Sequence, residues 1–293
     1  MRTLFCIIES MRPKEWIKNL FVVAPIIFSK KLGDLYMVAE TFAAFVLFCL
    51  IAGCVYLIND IADIEKDRRH PKKKNRPLPS GKVSKTQAIV AATIIFCISI
   101  TLSFRLHPLF GVVVGTYFVM NLLYSFWLKK VVILDVFIIA LGFILRVQAG
   151  GVIVEVPSSP WIIMSTLFLA LFLGFSKRRE EILAKVNSRL SGNFRKNLKY
   201  YSPELLDNFL LIATTGAVMS YTIYTASDYA YEKFGTHNLI YTAIFVIYGV
   251  FRYYYLIHKK DLGSSPTEVL YSDYPMIINL VLWIVACILI IGI

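Results

Sequence analysis

A group of oxygen-bearing side chains follows an apolar stretch that is uncharged from residue 41 to residue 58. The group consists of Asn59, Asp60, Asp63 and Asp67. If one helix continues through it, Asn59, Asp63 and Asp67 lie on one face, with Asp60 beside them. Carboxylates about 5–6 Å apart repel by roughly 3 kcal/mol at an effective dielectric of about 20. The pattern therefore favours a bound cation that relieves the repulsion.

These ligands suit Mg²⁺, with Mn²⁺ as a substitute, because the group offers only oxygen atoms and no Cys or His. A basic run from Arg68 to Arg76 follows at once. Carboxylates for a metal beside Lys and Arg are what a metal–diphosphate ligand needs. The competing interpretation is a solvated helix end with mixed charges, and the pattern H-P-x-x-x-x-R-P-x-x-x-G behind the acids weighs against it.

The complete motif, N-D-x-x-D-x-x-x-D-R-x-H-P-x-K-x-x-R-P, resembles the first aspartate motif of the UbiA-type membrane transferase superfamily. M-R-P-K-E-W-I-K-N at 11–19 and G-F-S-K-R-R-E-E at 174–181 resemble the branch that makes polyprenyl-phosphate ribose. The resemblance covers essentially the whole chain. It implies an all-α polytopic membrane protein, a nine-helix transmembrane bundle with a cytoplasm-facing cavity, formed as a single domain over residues 1–293.

The composition independently predicts a polytopic membrane protein. Hydrophobic residues make up 57% of the 293 residues and charged residues only 17%, whereas soluble domains carry about 25% charged residues. The apolar runs take up nearly all of the chain, which leaves room for one membrane domain. The net charge of +12 comes from Lys and Arg in alternate loops, so membrane lipids rather than nucleic acid are the expected surroundings.

Charge asymmetry predicts the orientation of the chain in the membrane. The N-terminal segment and the loops after the even-numbered spans carry 25 Lys and Arg, and the opposite loops carry 4. Because basic loops stay in the cytoplasm, we expect a multi-pass protein of the cell membrane whose acidic motif faces the cytoplasm. The nine predicted spans are 20–28, 38–58, 88–104, 109–128, 133–154, 161–175, 208–224, 239–257 and 276–293. The first span, which Pro25 interrupts, is the weakest.

Further cations are candidates for phosphate binding. Lys14 and Lys18 are one turn apart in the N-terminal motif, where anchoring at lipid headgroups is the alternative role. Arg146 lies about halfway along a predicted span, and an arginine at that depth usually faces a cavity or a partner. A structural ion pair and a role in the site both fit Arg146.

The resemblance also shows where this chain departs from its superfamily. The members that transfer prenyl groups use two aspartate motifs, and each helps to hold Mg²⁺ on a prenyl diphosphate. This chain keeps the first motif but has no Asp between residues 176 and 206. Lys177, Arg178 and Arg179 stand there instead. Three cations suit an extra phosphate better than a second metal, and phosphoribosyl diphosphate carries a 5-phosphate that a prenyl diphosphate lacks.

The resemblance implies transfer of 5-phosphoribosyl from phosphoribosyl diphosphate to a polyprenyl phosphate, with release of pyrophosphate, for the synthesis of a cell-envelope glycan precursor. Mg²⁺ would be held by Asp63 and Asp67 with help from Asn59 or Asp60, and the three aspartates would be catalytic. The acceptor phosphate needs no general base, because its second pKa is about 6. The substrate-binding candidates are Lys14, Lys18, Asn59, Arg76, Tyr124, Lys129, Lys130, Arg146, Lys177, Arg178 and Arg179. Among these, Tyr124 and Lys129 match the superfamily's Y-x-x-x-x-K element.

Two other functions remain open at this point. The first is a prenyltransferase that joins a prenyl diphosphate to an aromatic acceptor, and the missing second aspartate motif counts against it. The second is a lipid or ion transporter whose pathway would include Arg146 and Arg252, which would leave the acidic group unexplained. An oligomer is compatible with the sequence.

Overall fold

The computed structural model describes residues 2–69, 73–186, 196–259 and 272–292, and these residues form helices without a strand. The predicted all-α fold is therefore confirmed. The α-helices are α1 Arg2–Ser10, α2 Ala24–Ile27, α3 Leu35–Ala62, α4 Ile64–Arg68, α5 Lys85–Leu106, α6 Pro108–Phe126, α7 Leu134–Ile153, α8 Pro160–Val186, α9 Pro203–Ala226, α10 Asp228–Phe234, α11 Ala243–Lys259 and α12 Tyr274–Ile291. Short 3₁₀ helices lie at Pro13–Val22, Lys73–Asn75, Leu128–Lys130, Lys196–Tyr200 and Asn238–Thr242.

Local sequence signals fix where several long helices begin. Ser84 caps α5 in a reciprocal capping box with Gln87, and Ser202 accepts a hydrogen bond from a backbone N–H in the first turn of α9. Asp273 does the same for α12. These caps satisfy N–H groups that have no partner inside the helix.

Eight helices of the described chain are long and apolar enough to cross a membrane, which makes the chain a multi-pass membrane protein. They correspond to the second to ninth predicted spans. The predicted count of nine is not confirmed, because the first predicted span does not form a membrane-length α-helix. Pro13–Val22 is a 3₁₀ helix, and Ala24–Ile27 adds a single turn of α-helix. Pro25 lacks the N–H that a longer α-helix needs.

The N-terminal 3₁₀ helix nevertheless follows the bundle from one end to the other. Arg12, just before it, contacts the last turn of α3, and Lys31, just after α2, donates a hydrogen bond to the Val154 carbonyl beyond α7 at 2.8 Å. A 3₁₀ helix rises about 2.0 Å per residue, so the ten residues extend about 20 Å between these two contacts. Gly150 permits the close packing, since a Cβ there would lie 2.0 Å from the Val22 carbonyl oxygen.

The central helices of the bundle are α3 and α7. In each of them 61% of the most apolar stretch is buried, against 17% in α5 and α12. One apolar cluster joins α7 to α8, α9 and α11, and a second joins α7 to α3, α6 and the N-terminal 3₁₀ helix. The end of α3, which carries the acidic motif, is thereby held beside the start of α7.

Arg146 connects the N-terminal 3₁₀ helix to the bundle interior by hydrogen bonds. Its Nε donates to Asn19 Oδ1 at 2.8 Å, its Nη1 to the Gly142 carbonyl at 2.8 Å and its Nη2 to the Tyr117 hydroxyl at 2.9 Å. The guanidinium also lies 5.3 Å from the centre of the Phe143 ring. Its partners in the described part of the chain are neutral, so the ion pair considered for it is not formed there.

A buried charge network holds the turn that precedes α7. Arg178 is 1% exposed, and it donates to Asp135 Oδ2 at 2.8 Å and to Glu181 at 3.0 Å. The Tyr201 hydroxyl donates to Asp135 Oδ1 and accepts the Ile133 N–H. Burial raises the pKa of Tyr201 to about 12, which keeps the hydroxyl protonated. The network stabilises a rare backbone conformation at Ile133, with φ 68°.

We predict that Arg178→Gln lowers the free energy of unfolding by ~3–5 kcal/mol, because it leaves Asp135 buried without its guanidinium. The matched control is Arg179→Gln on the same helix, whose partner Asp207 has a side chain that is 36% exposed. That pair should contribute about 1 kcal/mol or less. Apparent melting temperatures of the purified variants compare the two, and an Arg178→Gln protein that melts like wild type would contradict the structural role.

Candidate active site

The acidic motif does not form the single helical stripe that the sequence suggested. Helix α3 ends at Ala62, and Asp63 is its C-cap with φ −103° and ψ 11°. The chain then begins a separate turn, α4, over Ile64–Arg68. Because the helix breaks at Asp63, the later carboxylate of Asp67 is redirected and does not continue the Asn59–Asp63 face.

Asp60 and Asp67 instead share one guanidinium. Arg76 Nη1 lies 3.3 Å from Asp60 Oδ1 and 2.8 Å from Asp67 Oδ2. Asp60 is 2% exposed and Asp67 is 4% exposed. Arg12 also contacts Asp60 Oδ1, and Lys73 Nζ lies 3.7 Å from Asp67 Oδ1. Two buried carboxylates from different helices are thus neutralised by cations from the N terminus and from the loop after α4.

Asp63 faces a different cation from those that bind its two neighbours. Lys129 Nζ donates to Asp63 Oδ2 at 3.0 Å, and the Asp63 side chain is 34% exposed. Lys129 belongs to the 3₁₀ turn at Leu128–Lys130, which the buried Arg178 network holds in place. Lys130 is exposed and Asn59 is half-buried. The pairing brings the predicted Lys129 to the predicted acidic motif, and Lys130 follows it in the chain.

The donor atoms fit a divalent metal only if a ligand supplies part of its coordination. Within the described residues, no three acidic, histidine or cysteine side chains are grouped so that they could hold a metal ion. Asp60 nevertheless has one buried carboxylate oxygen, Oδ2, without a hydrogen-bond partner. Mg²⁺ usually takes one or two carboxylates and completes its shell with water and substrate phosphates. The group therefore suits an ion that arrives with a phosphate compound.

A second set of predicted residues lies along the N-terminal 3₁₀ helix. Lys18 pairs with Glu15 on the same helix, and Lys14 is exposed. The charge of Lys177 on α8 acts on Glu15 together with those of Lys18 and Arg12. Lys177 therefore lies within electrostatic range of the N-terminal segment that also contacts Asp60.

The other two cations of the S-K-R-R-E-E segment have partners elsewhere. Arg178 is bound to Asp135 as described, and Arg179 Nε donates to Asp207 Oδ1 at 2.6 Å. All three cations were candidates for phosphate binding, and Arg178 and Arg179 pair with carboxylates while Lys177 lies within electrostatic range of Glu15 on the 3₁₀ helix. Tyr124 is half-buried and lies within electrostatic range of Arg178. Arg146, enclosed deeper in the bundle, is not brought to the acidic group.

Arg12 belongs to the site and was missing from the candidates. Its backbone adopts a left-handed conformation, φ 55° and ψ 66°. Its guanidinium lies 4.7 Å from the centre of the Tyr56 ring and also contacts Asp60. A residue before proline is disfavoured in the right-handed helical region, so Pro13 gives a sequence signal for the turn. No sequence pattern predicts the direction of the Arg12 side chain.

The arrangement is suited to binding a polyanion, because cations that pair with carboxylates could pair with phosphates instead. Three carboxylates are each paired with at least one cation in the described chain. A metal ion bound to the carboxylates would release those cations, and cations released beside a metal are placed to donate charge-assisted hydrogen bonds to phosphate oxygens. Within the described residues these pairings are made by Arg and Lys side chains, which offer charge stabilisation and positioning.

Comparisons with known proteins agree with this fold. The chain is 35% identical to decaprenyl-phosphate phosphoribosyltransferase of Mycolicibacterium smegmatis over 75% of this chain and 70% of that protein. It is 32% identical to the enzyme of the same name from Corynebacterium glutamicum over 94% of this chain and 84% of that protein. The structure of an Archaeoglobus fulgidus UbiA homolog bound to GPP and Mg²⁺ superposes with a TM-score of 0.72 at 18% identity, covering 98% of this chain and all of that one. A structure of such a homolog bound to Cd²⁺ gives 0.66 at 18% identity, covering 97% of this chain and 98% of that one. The model of the UbiA prenyltransferase family matches residues 21–281, and the chain belongs to that family.

Proposed function

We propose that this protein transfers the 5-phosphoribosyl group from phosphoribosyl diphosphate to a polyprenyl phosphate and releases pyrophosphate. The observation that carries the proposal is the acidic cluster of the described residues, with Asp60 and Asp67 bridged by Arg76. The α8 segment, where prenyl-transferring relatives of the superfamily place a second aspartate motif, offers Lys177 instead. One metal–diphosphate site beside an additional cation matches a donor with one diphosphate and one further phosphate. The relatives named as phosphoribosyltransferases support the same assignment.

We further propose that Mg²⁺, or Mn²⁺ in its place, binds at this cluster with the donor. Asp60 and Asp67 would hold the ion, and Asn59 and Asp63 at the same end of α3 are its other candidate ligands. The bound ion would neutralise the diphosphate as it leaves. The unpartnered Asp60 Oδ2 is the atom of this chain that supports the assignment best.

The protein's own cations then position the two substrates. Arg12 and Arg76, released from the carboxylates, would donate to the diphosphate, and Lys177 would donate to the 5-phosphate. Lys129 lies in the α6–α7 turn and contacts Asp63 of the acidic cluster, where it can orient the acceptor phosphate. An acceptor oxygen forms the new bond to ribose C1 as the bond from C1 to the diphosphate breaks. The acceptor is already anionic near pH 7, since its second pKa is about 6, so no residue has to remove a proton.

The cluster faces the cytoplasm in this proposal, because 25 Lys and Arg lie in segments assigned to that side and 4 in the opposite loops. We predict that Lys82→Cys, in the loop after Arg76, reacts with a membrane-impermeant maleimide only after cells are opened. Glu232→Cys, in α10 at the other end of the bundle, should react in intact cells. Reversal of the two results would contradict the orientation.

Activity should require a divalent ion and the buried acid Asp67. We predict that Asp67→Asn lowers the transfer rate by about 100-fold or more, as expected when electrostatic stabilisation of the leaving group is lost. Glu65→Gln is the matched control, because Glu65 lies in the same turn with its side chain 74% exposed and paired with Arg68. Transfer is measured with Mg²⁺, with Mn²⁺ and with EDTA. Near wild-type turnover of the Asp67 variant, or of any variant in EDTA, would end the metal proposal.

A competition experiment tests the donor. Purified protein receives polyprenyl phosphate with equal concentrations of phosphoribosyl diphosphate and farnesyl diphosphate, and we expect only the former to be consumed. Lys177→Gln should raise the KM for phosphoribosyl diphosphate by about ten- to a hundredfold, the value of one charged hydrogen bond. Lys66→Gln, an exposed lysine of α4, serves as control. Consumption of farnesyl diphosphate alone would favour a prenyltransferase.

A further inference from the structure

A groove between α6 and α7 opens on the outer surface of the bundle. It is an open groove with a volume of about 450 Å³. Val119 and Leu123 on its α6 side are 54% and 42% exposed, so the groove is accessible from the surface that an apolar helix presents to lipid. The side chains that form it are almost all apolar and include Thr116, Val119, Met120, Leu123, Leu128 and Ile138.

The groove ends beside the candidate active site. Leu128, its last residue on this side, is followed directly by Lys129, whose Nζ is 3.0 Å from Asp63 Oδ2. Lys130 comes next and is exposed. An apolar channel therefore leads to two lysines, one of which contacts the acidic cluster.

The depth of this junction matches the headgroup layer of a bilayer. Trp127 precedes the lysines and is 62% exposed, and Phe126 beside it is 43% exposed. Exposed aromatic residues at helix ends mark the membrane–water interface. A phosphate that belongs to a lipid lies at that level, with its chain directed towards the apolar residues of α6.

We propose that the α6–α7 groove binds the head-proximal isoprenoid chain of the acceptor lipid, with the lipid phosphate at Lys130 and Lys129. The inference rests on the proposed function and assigns its acceptor a place. The occupant follows from charge complementarity, since an apolar channel capped by two lysines matches an anionic lipid with a single phosphate. Lys129 then contacts the acceptor phosphate while it adjoins the carboxylate cluster that would hold the donor.

The groove is short compared with a long polyprenyl chain. Residues 116 to 123 cover about 10 Å along α6, so only the first isoprene units are in contact with the protein, and the rest of the chain extends into the bilayer. Acceptor affinity should rise with chain length up to about this distance and then level off. Isoprene units beyond that point do not contact the groove and should not change the acceptor affinity.

Photocrosslinking tests the location without requiring turnover. Benzoylphenylalanine is placed at Val119 in the groove or at Val112, which lies on the same helix outside the groove lining and is 53% exposed. Full-length protein in nanodiscs then receives ³²P-labelled polyprenyl phosphate. We expect labelling at position 119 that unlabelled polyprenyl phosphate suppresses and phosphatidylglycerol does not. Equal labelling at both positions, or suppression by phosphatidylglycerol, would overturn the proposal.

A kinetic comparison of Val119→Trp with Val112→Trp completes the test. Filling the groove should raise the KM for a long polyprenyl phosphate by about tenfold and leave the KM for phosphoribosyl diphosphate unchanged, and Val112→Trp should resemble wild type. If wild type transfers phosphoribosyl and Val119→Trp keeps the wild-type acceptor KM, the groove assignment is wrong although the proposed function stands. If wild type makes no phosphoribosyl lipid, the proposed function fails, and the crosslinking pattern still decides where the lipid binds.

Discussion

The rest of the site depends on the neutralisation of two buried carboxylates by one guanidinium. Arg76 Nη1 contacts both Asp60 and Asp67, which come from different helices because α3 breaks at Asp63. Removing a carboxylate from water without a partner costs several kcal/mol, so this end of the bundle can fold only if cations reach it. Arg12 from the N-terminal segment provides the additional contact. The same requirement brings together segments that are far apart in the chain.

A buried carboxylate whose partners are partly exposed cations is also a candidate place for a ligand. The Arg178–Asp135 pair has 1% and 0% exposed side chains, and it serves the fold by fixing the turn before α7. The Arg12 and Arg76 side chains are 27% and 30% exposed, so an anionic ligand can reach them. The Arg178 network thus stabilises the turn before α7, and the cations of the acidic cluster are accessible to a ligand.

The sequence was sufficient for the class of fold and for most of the residues that meet at the site. Membrane spans could be read from apolar length, and the acidic motif from its unusual charge density. The partners were not predictable, because they depend on packing over long separations: Asp135 lies 43 residues from Arg178, and Lys129 lies 66 residues from Asp63. The first predicted span, which Pro25 made the weakest of the nine, forms part of a 3₁₀ helix and a single α-helical turn, and the apolar pattern does not distinguish a 3₁₀ helix from an α-helix.

The roles of Arg178 and Arg179 could not be assigned from their positions in the sequence alone. Consecutive residues of a helix point in different directions, so a run of three cations does not form one surface. Lys177 lies within electrostatic range of Glu15 on the N-terminal 3₁₀ helix, whereas the next two residues pair with Asp135 and Asp207. A phosphate site in this region must combine cations from several helices, as the acidic cluster already combines its carboxylates.

The central claim is that the Asp60–Asp67 cluster takes up a divalent ion together with the donor. Anomalous X-ray scattering from crystals grown with Mn²⁺ and phosphoribosyl diphosphate tests it most directly. The account predicts an anomalous peak within about 2.0–2.6 Å of oxygens of these carboxylates, with diphosphate density against it and Arg76 moved from the carboxylates to the phosphates. Donor density elsewhere, with Arg76 still bridging Asp60 and Asp67 and no peak beside them, would contradict the account.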